Sequence, residues 1–72
     1  MDRFKQYEAL VEIVAQARLL AAMSNDDDVV KNAEAIKRSA LSSATKLGFS
    51  DAKFMSDSIV RYEKLPKRDW IK

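Results

Sequence analysis

The stretch FKQYEALVEIVAQARLLAAM, Phe4 to Met23, decides the fold. Between Ala9 and Met23 its only polar side chains are Glu12, Gln16 and Arg18. At about 100° per residue, Lys5, Glu8, Glu12 and Gln16 fall on one narrow stripe, and Tyr7, Leu10, Val14, Ala17 and Ala21 line the opposite side. Phe4, Val11, Ala15 and Ala22 widen the apolar side one way, and Ile13 and Leu20 the other. The apolar arc spans roughly 200°, about twice what a one-sided surface helix needs. The spacing predicts a helix that more than one neighbour must cover. A membrane span is not expected, because a bilayer takes about 20 apolar residues without such interruptions. Nor is a signal peptide: no purely basic segment precedes the run, and Asp26–Asp28 follow it directly.

The 72 residues allow one small domain. A lone core of this size gives only roughly 3–5 kcal/mol of net stability. There is no cysteine and no histidine, so disulfides and thiolate or imidazole metal sites are not expected. Oligomerisation is the remaining common stabiliser, and the wide apolar arc suits it. A single Gly and a single Pro argue for long regular elements, and the abundance of Ala, Leu, Lys, Glu and Arg makes those elements helices. The net charge of +2 names no partner, but its distribution is uneven. Residues 1–28 carry three basic and six acidic side chains, and residues 29–72 carry ten basic and five acidic. Such asymmetry steers partners, although a charge-rich helix face is most often simply solvated.

Three helices are expected, at about residues 2–23, 26–47 and 50–64, with a tail over 65–72. Asp2 is a suitable N-cap for the first. Ser24-Asn25 interrupts the pattern, and either residue suits as cap of the second, with Asp26, Asp27 and Asp28 stabilising its first turn against the helix dipole. A calcium loop would need spaced oxygen ligands, a glycine and a distal Glu, which are missing, so no metal site is expected. In the second helix Val29, Ala33, Ile36, Ala40, Ala44 and Leu47 form one narrow stripe of mostly small residues, matched to Ala17 and Ala21 of the first. Lys31, Glu34, Lys37, Arg38 and Ser42 should be wet. Gly48 is the expected left-handed terminator. Ser50 is the expected N-cap of the third helix, with Phe49 and Phe54 at hydrophobic-staple spacing. That helix should bury Met55, Ile59 and Tyr62 beside Phe54 and stop before Pro66. The fold class is therefore all-α, a small three-helix bundle with two long helices, one shorter helix and a short C-terminal tail, in a single domain over residues 1–72.

Arg18 emerges inside the apolar arc of the first helix. A charge there must reach water or meet a carboxylate, because burying it unpaired is costly. Either its stem packs while its head reaches solvent, or it lies at a subunit or partner interface. The stretch Tyr62–Lys72 combines Tyr62 and Trp70 with Lys64, Lys67, Arg68 and Lys72, directly after Arg61. Trp and Arg are enriched among interface anchors, while a terminal aromatic also serves to tie a chain end to the core. Arg18, Arg61, Tyr62, Lys67, Arg68 and Trp70 are thus the candidate partner-binding residues.

Ala44-x-x-Leu47-Gly48-Phe49-Ser50, followed by Phe54, has the layout of a helix-turn-helix corner. Its second helix would expose Asp51, Lys53, Ser56, Asp57 and Ser58, a poor face for phosphate, and any helix–turn–helix corner needs a glycine and a cap. Nucleic-acid binding through that corner and the basic tail is the alternative role. The run Tyr62-Glu63-Lys64-Leu65-Pro66, with Trp70 four residues beyond, resembles the end of the Hha family of small nucleoid-modulating proteins. That resemblance covers nine residues and implies a short helical protein that acts by binding a nucleoid-structuring partner. Upstream, no residues align with the family in one register.

Catalysis is not expected. Without His or Cys the usual nucleophile–base pairs are absent, and no glycine-rich phosphate loop or nucleotide fingerprint occurs. No cofactor and no small-molecule substrate is implied. The expectation is a non-enzymatic protein–protein interaction module: a small cytoplasmic regulator, inhibitor or adaptor that docks on a protein partner or forms a homodimer. Small size and the lack of cysteine suit a bacterial or phage origin.

Overall fold

The computed structural model describes residues 2–65. It contains helices α1 (Arg3–Met23), α2 (Asp27–Lys46) and α3 (Asp51–Lys64), and among the described residues there is no strand. No helix there is long and apolar enough to cross a membrane. Pro66 and the residues beyond it, including Lys67, Arg68 and Trp70, lie outside the described residues.

Each helix starts where a side-chain oxygen can take up a free backbone N–H. Asp2 accepts from the Phe4 amide at 3.0 Å. The cap of α2 is Asp26, which accepts from the Asp28 amide at 2.8 Å, and not Ser24 or Asn25. Ser24 instead accepts from the Asp26 amide, which turns the chain one step before the cap. Asp26 wins because a carboxylate at this position both accepts the amide and meets the positive end of the helix. Ser50 caps α3 through the Lys53 amide at 3.1 Å.

The end of α2 rests on Gly48, whose φ of +97° only glycine adopts without strain. Its amide donates to the Thr45 carbonyl at 3.0 Å, and the Phe49 amide donates to the Ala44 carbonyl at 3.1 Å. These two bonds reverse the chain in the manner of a Schellman turn. The staple pair Phe49 and Phe54 both pack on Tyr7: Phe49 stacks on its ring at 4.0 Å between centroids, and Phe54 meets its edge at 5.8 Å. The chain's angle of entry into α3 is therefore set by a residue of α1.

α1 packs along both neighbours, whereas α2 and α3 touch far less. One core cluster joins Tyr7, Val11 and Val14 to Ala40, Ala44 and Phe54. A second joins Ala15 and Leu19 to Leu65, with Met23 and Tyr62 against it. Burial departs from the apolar pattern at four places. Leu19 sits on the polar stripe of α1 yet is buried, because Leu65 just past the end of α3 closes over it. On α3 the inward row is Phe54, Ser58 and Leu65; Ile59 is exposed and Met55 and Tyr62 are only half-buried. Ser58, expected on the outside, is fully buried and donates to its own helix at the Met55 carbonyl, 2.9 Å away. On α2, Ala33, Ala40 and Ala44 are buried, while Ile36 stands 41% exposed at the margin of its stripe.

Candidate functional site

Two depressions run beside α1, one on each flank of its contact with α3. The larger, of about 490 Å³, lies between α1 and α3 and includes Phe4, Glu8, Val60 and Lys64 in its walls. Its polar groups answer one another. The Tyr7 hydroxyl donates to Asp57 at 2.6 Å, and Lys53 donates to the same carboxylate at 3.1 Å while its ammonium sits 5.5 Å from the Tyr7 ring centre. Arg61 pairs with Glu12, and Gln16 donates to the other oxygen of Glu12 at 2.7 Å.

Ionisation follows these bonds. The hydrogen bond from Tyr7, helped by Lys53, holds the Asp57 carboxyl below its usual range against the opposing effect of burial. The hydrogen bond from Gln16, helped by Arg61, does the same for Glu12. Burial, and then the adjacent Asp57 carboxylate, push the Tyr7 phenol well above the usual tyrosine value. A phenol so held stays protonated and serves as a donor, so the groove has no free base or nucleophile among these groups.

The smaller depression, a notch of about 160 Å³, lies between α1 and α2. Val14, Ala21, Val30 and Ala33 give it apolar walls, and Glu34 and Lys37, paired to each other at 3.3 Å, stand at its edge. Arg18 enters from α1. Its guanidinium carbon lies 5.9 Å from the centre of the Tyr62 ring on α3, close enough for a cation–π attraction. Its Nε is buried and has no hydrogen-bond partner among the described residues. Five N–H groups on a planar fork match a carboxylate, and a buried donor left unused costs about 1–3 kcal/mol. The notch thus sets a buried cationic donor among apolar walls, with a charged pair at its edge.

The candidate residues separate accordingly. Arg18 and Tyr62 come together at the notch. Arg61 turns to the opposite side of α3, where Glu12 neutralises it. Sequence reasoning missed the Tyr7–Asp57 and Glu12–Arg61 pairs, since the partners in each lie some fifty positions apart and no local spacing links them. The corner between α2 and α3 is tied by Thr45, which donates to Asp51 at 2.8 Å, so that acidic group serves the turn. Asp26 likewise serves as a helix cap.

No family model matches this chain, and neither a curated protein nor a solved structure does.

Proposed function

We propose that this chain is a non-enzymatic protein–protein interaction module, a small regulator, inhibitor or adaptor that works by occupying a partner's surface. The observation that carries this reading is the buried, unused Nε–H of Arg18 within an apolar notch. Folding alone gives no return for that donor. A partner's Asp or Glu side chain entering the notch would complete the fork, and the dry surroundings strengthen such a charge-assisted bond. Val30 and the half-buried Tyr62 would supply the apolar and aromatic surface around it. Lys67, Arg68 and Trp70, further along the chain, would extend the contact toward an acidic surface.

The test is affinity capture from cells of the native source, run in parallel with Arg18→Gln and Val30→Glu. Both variants should keep wild-type helix content and lose the proteins that wild type retains. Retention of the same proteins by both variants would rule out the notch as the docking point.

A further inference from the structure

We infer that the face of the α1–α2 pair turned away from Arg18 binds a second copy of this chain, so that two α1–α2 pairs stack into a four-helix bundle with α3 outside. This goes beyond the proposed function and uses none of the notch residues.

The argument starts from charge. A third of the chain is Asp, Glu, Lys or Arg. On α2, Val30, Glu34 and Lys37 line the notch on one side of the buried row Ala33–Ala40–Ala44. Helical periodicity then puts Asn32, Ile36 and Ser39 on the other side of that row. On α1, Ala9, Ile13 and Leu20 lie across the buried Ala17 from Arg18 and α3. The middle of this face holds no charged residue; Lys5 on α1 and Asp28 and Lys46 on α2 stand at its ends. Ile13, Leu20 and Ile36 stand 48%, 52% and 41% exposed on it.

Neutrality selects the occupant. In a two-fold dimer each patch meets its own copy, so a patch with net charge faces like charge. The α1–α3 groove, by contrast, carries Glu8, Glu12, Lys53, Asp57, Arg61 and Lys64, ionised groups that a two-fold contact would have to desolvate and re-pair. A face uncharged through its middle meets itself without burying an ionised group, and the small Ala9 and Ser39 allow close approach.

Area agrees. Helices of 21 and 20 residues are about 30 Å long, and a pair side by side is about 20 Å wide. Two such faces bury on the order of 1,200 Å² in total, the lower end of specific interfaces. Self-association is therefore concentration-dependent.

Sedimentation equilibrium from micromolar to near-millimolar concentration tests this. The mass should rise from the 8.2 kDa of one chain to twice that value. Leu20→Lys and Ile36→Lys should hold it at one chain with unchanged circular dichroism, while Val60→Lys, in the α1–α3 groove, should dimerise like wild type. A wild-type mass that stays at one chain throughout, or dimers that persist in both lysine variants, would overturn the inference. If either variant loses its helix content, isotope-filtered NOEs in mixed-label wild type decide, through the presence or absence of intermolecular contacts from the Ile13, Leu20 and Ile36 methyls. Arg18→Gln should dimerise normally, so failure of the dimer and failure of the docking notch are read separately.

Discussion

Along the seam between α1 and α3, Tyr7, Lys53 and Asp57 satisfy one another, as do Glu12, Gln16 and Arg61. At the notch between α1 and α2, Arg18 keeps a buried N–H that none of the described residues accepts. Both seams place polar groups beside the same core, and the physics assigns them opposite signs. Matched groups recover what burial costs them, whereas an unmatched donor lowers the stability of the isolated chain. The first seam is matched within the fold, and the second carries the docking point proposed above.

The hardest blow to the matched seam is Phe54→Ala. This fully buried ring supports Tyr7 from beneath. Its loss should cost about 3–5 kcal/mol, comparable with the whole net stability of a domain this small. Circular dichroism at room temperature should show a largely unfolded chain.

Tyr7→Phe isolates the hydrogen bond while keeping the ring. A loss of about 1.5 kcal/mol is expected, read as a lower urea midpoint, because the acceptor is an ionised carboxylate. The pH dependence gives the same bond a second readout. Asp57 and Glu12 have depressed pKa values in the folded chain, so their stabilisation is present above the unfolded carboxylate values of about 4 and is lost as pH falls through the folded ones. The raised phenol of Tyr7 works the other way: its contribution is intact below about pH 10 and fades as pH rises beyond it. Acid unfolding of wild type should thus begin below about pH 4, and Tyr7→Phe should flatten both limbs.

Arg18→Met sharpens the contrast, with a smaller effect of opposite sign. It replaces the orphaned donor with an apolar chain of similar length, at the loss of the attraction to Tyr62. A gain of about 1 kcal/mol is expected, or about 5 °C in the thermal midpoint, together with loss of partner capture. A lower midpoint would mean that Arg18 stabilises the fold and would remove the physical basis of the docking site.

Much of this was legible from local pattern. Gly48, Ser50 and Asp2 occupy the terminating and capping positions their chemistry suits, and the three helices follow. The inward row of α3 was not legible. By apolar residues alone it reads as Met55, Ile59 and Tyr62, but Phe54 and Leu65 anchor the helix at its two ends and roll Ser58 inward between them. Ser58 tolerates that place because its hydroxyl bonds its own backbone. Arg18 was recognisable as an anomaly from its position in an apolar arc, but its neighbours were not.

The sequence by itself determined where each helix starts and stops, and that α1 needs covering on more than one side. Caps, a left-handed glycine and hydrophobic period act within a few residues, so they are written locally. Only the tertiary structure decided that Leu65 would shelter Leu19, that Arg61 would turn to Glu12 and Arg18 to Tyr62, and that Ile13, Leu20 and Ile36 would be left exposed. Those outcomes depend on how α2 and α3 are rotated about α1, and that rotation is set by the packing of all three helices together, which no short stretch of chain contains.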